Sequence, residues 1–502
     1  MKRAIIIGAG YAGIALANLL AKSGITVDVF EKNEVVGGRI AVVKQDGFTF
    51  ETGPSWYLMP EVFEHYYELF GTRVSERLDL QRLTPGYRVF FDTQQPITVY
   101  GSLERDTQTF EAIERGAGQT LRRYVADARR TYDIALRHFL YTNFERLSEL
   151  FSPEVMANAP RLVSLATRPL DDHVKRYFKD GRLQRILEYH SVFLGSSPFD
   201  TPSLYSLMST LDFTTGVYYP AAGMYALVDD LIRLGDSSKI SYHCNAEVVS
   251  IHANKRSATS VTLADGSSHT ADVIISAADL HYTETTLLPE SAQTYPETYW
   301  KRRQPGPSGL VISLGVRGKL PQLLHHNLYF VDDWKGNFAA IYGKKIAPES
   351  ASMYVCNPSK SDPTLAPKQA ENLFILVPLP AGVDVSAEDT RKLAARYAST
   401  FARVIGVPDL ESRIISRHIV GPKDYANRYH AWEYNAFGGE SHLLRQSAVF
   451  RTKNKSRKLE NLYYVGAGAL PGIGLPMCLI SAELTYKRIM GIKRGAPLAP
   501  DA

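Results

Sequence analysis

The sequence predicts an α/β fold in which a parallel-sheet domain is assembled from discontinuous segments, with a mixed-sheet domain and a helical domain inserted between them. Three observations predict it. A β-α-β pattern opens the chain at residues 4–30. A strand-turn-helix pattern closes it from Leu462 onward. Between them, residues of about 105–215 carry helical periodicity and almost no strand signal.

Each element rests on its own pattern. Ala4-Ile5-Ile6-Ile7 is a short apolar run suited to a strand buried on both faces. A glycine-rich turn follows, then a helical stretch from Ile14 to Lys22, then Thr26-Val27-Asp28-Val29-Phe30 as a second strand. From Leu121, apolar positions recur at Tyr124, Val125, Ala128, Tyr132, Ala135 and Phe139, one face of a helix. Arg122, Arg123, Arg129, Arg130 and Arg137 fall largely elsewhere around it, so the helix has a basic face, turned to solvent or to a membrane. Val248–Ile251 and Ser260–Leu263 read as strands, Asp265-Gly266 as a turn, and Ala271–Ser276 as the buried strand that ends this meander. Leu462–Val465 is a strand, Gly466-Ala467-Gly468 follows it, and a helix begins near Leu475.

The 502 residues are 45% hydrophobic and 22% charged, which are globular proportions. A net charge of +5 suits an anionic membrane surface, and no basic run or aromatic-basic ribbon points to nucleic acid. Cys244, Cys356 and Cys478 are odd in number and far apart, which predicts a reducing compartment with no disulfide framework and no metal site. Lys2 and Arg3 before the uncharged stretch Ala4–Ala21 imitate a secretion signal. The spacing of Gly8, Gly10 and Gly13 argues for a nucleotide turn instead. No other apolar run is long enough for a membrane span.

Gly8-Ala9-Gly10-Tyr11-Ala12-Gly13 is a G-x-G-x-x-G motif between a strand and a helix. Its glycines allow the tight turn, the approach of backbone to a pyrophosphate, and close helix–strand packing. The helix N-terminus then faces the phosphates. Glu31 follows the second strand, about 20 residues on, where a carboxylate accepts ribose hydroxyls and repels a 2′-phosphate. Gly37-Gly38-Arg39 adds a second close approach and a two-pronged phosphate donor. With dinucleotide signals at both ends and in the middle, a Rossmann-like dinucleotide-binding domain spans 1–90, 216–300 and 421–502. The mixed-sheet substrate domain takes 91–104 and 301–420, and the helical domain takes 105–215.

These residues together resemble the flavin-containing amine oxidase and carotenoid desaturase superfamily, with Gly47-Phe48-Thr49-Phe50-Glu51-Thr52-Gly53-Pro54-Ser55 as a further match. Three segments resemble its bacterial phytoene desaturase family in particular: Gly53–Pro60, Gly216–Met224, and Asn461–Gly468 continuing to Pro471–Pro476. The resemblance runs end to end and is weakest between about 105 and 200. It implies FAD held by Gly8, Gly10, Tyr11, Ala12, Gly13, Glu31, Lys32, Gly38, Arg39, Gly53, Pro54 and Ser55 on one side. Val248 then lies at the adenine edge, and Gly466, Gly468, Gly474, Leu475 and Met477 lie along the flavin ring. Many members carry Thr-His where this chain has Ala469-Leu470, so that histidine is no required acid or base here.

The implied reaction desaturates a long polyisoprenoid of the phytoene type, with hydride passing to the flavin and a proton lost. Glu51 is the candidate proton acceptor, beside a structural reading as a hydrogen-bond acceptor. His190 and His430 are weaker candidates. A hydrocarbon substrate calls for an apolar tunnel and delivery from the bilayer. The expectation is therefore a cytoplasmic protein held peripherally at the membrane, with oxygen or a quinone as electron acceptor. Other readings of the same fold are a carotene isomerase, an amine or porphyrinogen oxidase, and a prenyl-binding escort protein without flavin chemistry.

Overall fold

The apolar run at the N-terminus forms the central strand, Arg3–Ile7, of a five-stranded parallel sheet. In a computed structural model, which describes residues 2–146, 149 and 151–500, this strand pairs with Thr26–Phe30 on one side and Val273–Ser276 on the other. Ile240–His243 and Leu462–Tyr464 complete the two edges. Three stretches far apart in sequence thus make one sheet. The strands read as apolar runs because both faces are covered.

Helix Tyr11–Lys22 begins immediately after the glycine turn, and nearly all of it is buried. Helix Leu475–Met490 packs against it in the same apolar core, with Leu479, Ile480 and Leu484 meeting Ile14, Leu16 and Leu20. Polar groups inside this contact are paired. Glu483, almost fully buried, bonds His65 Nε2 at 2.7 Å and Lys487 Nζ at 2.9 Å.

A seven-stranded mixed sheet forms the second body of the fold. Its order is Ile414–Val420, Ser308–Arg317, Ala370–Leu379, Met353–Cys356, His326–Phe330, Tyr87–Phe91 and Ile97–Val99. Only the pairing of His326–Phe330 with Tyr87–Phe91 is parallel. One face packs on helix Ala387–Val404 through Ala394, Tyr397 and Phe401. The other packs on the helical stretch, where Phe110, Leu121, Tyr124 and Phe178 meet Val89 and Phe330. Within helix Ala117–Ala135, Leu121, Tyr124, Val125, Ala128 and Tyr132 are buried, whereas Arg122, Arg123, Arg129 and Arg130 are exposed. Arg137 lies beyond it, exposed on a π-helical turn over Leu136–Leu140.

Two expectations change. The meander is Val248–Asn254, Ser257–Leu263 and Ser268–Thr270, and Val273–Ser276 leaves it to pair in parallel with Arg3–Ile7. Its apolar run Val273–Ile275 suits a place beside the central strand of the main sheet, a place that alternation alone does not reveal. The expected boundary at residue 90 falls inside Tyr87–Phe91, a strand of the large sheet.

The buried ion group generates a test. Glu483→Gln leaves the Lys487 ammonium, with no exposed side-chain surface, short of its counter-charge. Breaking a buried pair from one side costs about 3–5 kcal/mol. The melting temperature of the variant should fall by several degrees in a thermal unfolding scan; an unchanged value would contradict this role.

Candidate active site

The strand–turn–helix start builds a cradle. A Cβ on Gly13 would lie 2.4 Å from the Gly8 carbonyl oxygen, so only glycine lets the helix approach the strand this closely. A Cβ on Gly10 would meet no atom within 4 Å, so this glycine faces open space. No side chain caps helix Tyr11–Lys22, so its first N–H groups are available to an anion. Gly37 N–H donates to the Ala9 carbonyl at 2.8 Å, which lays Gly37-Gly38 against the turn. Tyr11 and Ala12 are buried beneath it.

Glu31 stands at the end of Thr26–Phe30 and is only 5% exposed. Ala9 N–H donates to its Oε2 at 2.8 Å, and Asn33 N–H to its Oε1 at 2.9 Å. Asn33 Nδ2 also donates to Oε1 at 2.6 Å, so these bonds fix the carboxylate beside the glycine turn and leave Oε2 a further lone pair for a ribose hydroxyl. The chain at 243–246 runs alongside: Glu31 N–H donates to His243 O, and Ala246 N–H to Glu31 O, both at 2.8 Å. Val248, two residues on, opens the next strand and is buried. Open cradle, uncapped helix and fixed carboxylate fit FAD.

Two expected contacts are placed differently. Lys32 Nζ donates to the Asn427 carbonyl at 2.8 Å, meets His430 Nε2 at 3.0 Å and lies 3.8 Å from Glu247. Lys32 thus braces residues 427–430. His430 likewise bonds Glu247 at 2.8 Å and stacks on Tyr282. Arg39 donates from Nε to Ala436 O at 2.9 Å and from Nη2 to Asn435 O at 3.3 Å. Its guanidinium also lies over the Tyr429 ring. It ties the N-terminal segment to the 435–438 loop, and two of its donors are no longer free for a phosphate.

The C-terminal segment reaches the same cradle. A Cβ on Gly466 would lie 3.5 Å from that of Ala12. Gly466 N–H donates to Ser481 Oγ at 3.0 Å, which couples the turn to helix Leu475–Met490. No side chain caps this helix either, and Gly474 precedes it, so its positive end is open. Gly468 packs on Leu280, Leu475 is buried and Met477 half-buried. Gly53 lies close under Arg39, where a Cβ would come within 1.9 Å of the Arg39 carbonyl oxygen. Pro54 is half-buried; Ser55 is buried and shares a 2.6 Å hydrogen bond with the Tyr354 hydroxyl.

A buttress beneath this segment escaped sequence reasoning. Arg451 is fully buried and donates from Nη2 to Ala467 O at 2.8 Å and from Nε to Ala469 O at 3.3 Å. Glu440, paired with Arg303 at 2.6 Å, lies behind it. These residues sit outside every glycine motif, and their partners are mostly backbone carbonyls, which leave no mark in a sequence.

Glu51 proves to be a structural acceptor. Its Oε2 accepts from the Tyr219 hydroxyl at 2.9 Å, and its Oε1 accepts from Met224 N–H. The carboxylate therefore clamps the 219–224 turn to the end of Phe48–Glu51. Burial pushes its pKa up to about 7, while the two hydrogen bonds pull it down. His190 is buried with Nε2 3.1 Å from Asp212, inside the Tyr87–Tyr189 cluster.

Two tests follow from this geometry. Glu31→Ala should weaken FAD binding at least about tenfold, the loss of one or two charge-assisted hydrogen bonds, measured by flavin release on dilution. Glu51 generates a pH test. A carboxyl raised in the folded state holds its proton after the unfolded chain has lost it, so stability falls as pH rises from about 4.5 to about 7 and then levels off. Glu51→Gln removes this slope. Thermal scans from pH 5 to pH 8 should show the variant gaining on the natural protein up to about pH 7; parallel curves would refute the assignment.

The chain matches the family described as flavin containing amine oxidoreductase over residues 11–490. It is 38% identical to a carotenoid 3,4-desaturase of Haloarcula japonica, with 97% of each chain covered. It is 34% identical to a zeta-carotene-forming phytoene desaturase of Myxococcus xanthus, covering 99% of this chain and 96% of that one. Among solved structures, a putrescine oxidase superposes with a TM-score of 0.64 at 15% identity, covering 98% of this chain and 99% of that one, and so shares the fold. Cradle, fixed carboxylate and end-to-end kinship agree: the chain belongs to the flavin containing amine oxidoreductase family, in its carotenoid desaturase branch.

Proposed function

We propose that this protein is an FAD-dependent desaturase that introduces conjugated double bonds into a long polyisoprenoid, phytoene or a related carotenoid precursor. One observation carries the reading. Trp56, directly after Gly53-Pro54-Ser55, packs against both the core of the dinucleotide domain and the core between the large sheet and the helical stretch. The cofactor-side segment thus leads into an interface built from Tyr87, Phe193, Phe213, Phe330 and Leu376. Such a wall suits a ligand with no group to hydrogen-bond.

Bound FAD supplies the hydride acceptor for a C–H bond. The chain's own part is to hold and orient. Glu31 and the uncapped helix at Tyr11 anchor the nucleotide end. Gly466, Gly468 and the start of helix Leu475–Met490 form the seat of the ring. The apolar walls exclude water and align the polyene. The buttress Arg451–Glu440–Arg303 keeps the ring seat from moving. Glu51 holds its turn.

Several surface features support delivery from a membrane. No helix among the described residues is long and apolar enough to cross one. A cleft of about 1330 Å3 is lined by Phe199, Phe338, Tyr342 and Leu444, with Arg302, Arg303 and Lys335 on its walls. Phe151, Met156, Val163 and Phe450 expose at least half of their surface. Exposed apolar side chains beside basic ones are the composition of a surface that rests on anionic lipid. Oxygen or a quinone would serve as the final electron acceptor.

The test is incubation of FAD-loaded protein with phytoene in anionic liposomes, followed by the visible spectrum of the extract. New multi-peaked polyene bands are expected, and their position counts the double bonds added. A blank spectrum with flavin bound, and with C30 and hydroxylated polyenes equally unchanged, would overturn the reading.

A further inference from the structure

On the large sheet, His326 stands directly opposite Cys356 across two antiparallel strands. Opposed residues of neighbouring strands share one face. His325 precedes them, its ring edge-on to that of His326 at 4.4 Å. One ring nitrogen from each imidazole and the Cys356 sulfur lie within 4.8 Å of one another, and all three residues are buried. Among the described residues, this is the one group of three such donors.

The hydrogen bonds divide the ring nitrogens. His325 Nδ1 is 2.7 Å from Ser361 Oγ, and His326 Nδ1 is 2.7 Å from the Tyr354 hydroxyl. Nε2 of both rings is buried without a partner. An unpaired buried polar atom costs about 1–3 kcal/mol, so two in adjacent residues call for an occupant. An imidazole that binds metal through one nitrogen characteristically holds the other against an oxygen, the place Ser361 and Tyr354 take here. Apolar rings close the shell: Trp56 stacks on His326 at 4.3 Å, and the Tyr219 ring lies 4.3 Å from that of His325.

We propose that His325, His326 and Cys356 form a zinc(II) site. Binding makes two nitrogen–metal bonds and one sulfur–metal bond. The thiol S–H bond breaks, its proton leaves to solvent, and no electron moves. Imidazole and thiolate select a borderline-soft ion such as zinc over magnesium or calcium, which take oxygen ligands. Zinc ligands at 2.0–2.3 Å from the ion stand roughly 3.5 Å apart, against the 4.8 Å within which the three donors lie here. Through Tyr354 and Ser55 the site fastens two strands of the large sheet to the cofactor-side segment. It reverses the absence of a metal site expected from cysteine spacing, because cross-strand pairing brings together residues far apart in sequence. It does not depend on the desaturase reading.

The test uses the flavin-loaded protein from zinc-supplemented cells. Elemental analysis after dialysis should find about one zinc per chain, and zinc X-ray absorption should show one sulfur and two imidazole nitrogens. Cys356→Ser should keep its flavin and lose at least about nine-tenths of the zinc, given that the thiolate is a principal ligand. Where that variant does not fold, the measurements on the natural protein decide alone. Zinc below about a tenth of an equivalent with no uptake on titration with zinc chloride, or bound zinc without sulfur, would overturn the site. So would a zinc-free protein in which His326→Phe selectively loses turnover of hydroxyl-ended polyenes, because the free nitrogens would then serve the substrate.

Discussion

The pairing of Arg3–Ile7 with Val273–Ser276 is the contact on which the rest depends. Their sequence separation gives this pairing a loop-closure cost, which the buried apolar residues Ala4–Ile7 and Ile274–Ile275 offset. Once it forms, the chain returns at Leu462–Tyr464 to extend the same sheet. All five strands then point one way, and their carboxyl ends share a single crevice. The glycine turn, Glu31, the 243–248 segment and Gly466–Gly468 all leave from those ends. The cofactor site is therefore a consequence of sheet topology before it is a matter of individual contacts.

The large sheet uses its two faces differently. One is closed by helix Ala387–Val404 in an ordinary core. The other is closed by the helical stretch, and there aromatic residues gather around Trp56 at the junction with the dinucleotide domain. Polar groups within the molecule are held by partners that fix segments: Glu51 clamps a turn, Arg39 a loop, and Arg451 the backbone of the ring seat. Catalysis of this kind asks the protein for position and dryness, and leaves the bond-making to the cofactor.

Much of this was legible in the sequence because it follows from local pattern. The glycine turn, the strand Thr26–Phe30, the acid at Glu31 and the helix at Leu475 are each determined by a few neighbouring residues. The buried face of helix Ala117–Ala135 followed from its 3.6-residue period. Long-range partners carry no such signal. Val273–Ser276 looks like the end of a meander until its parallel partner is known. Arg39 looks like a phosphate donor, and Lys32 like a cofactor contact, until the carbonyls of Asn435, Ala436 and Asn427 are seen to accept their hydrogen bonds. Arg451 and the His325–His326–Cys356 cluster depend wholly on contacts between distant segments.

The central claim is that a polyene reaches the cofactor through an apolar seat and surrenders hydride there. Its most direct test is anaerobic: flavin-loaded protein mixed with phytoene or a related polyene in liposomes, with the flavin's visible absorbance followed through a single turnover. Bleaching in proportion to the polyene added, reversed by admitting oxygen or a quinone, is the predicted result. Flavin that stays oxidised with every polyene but bleaches with an amine would contradict the account and place the chain's chemistry in another branch of its family.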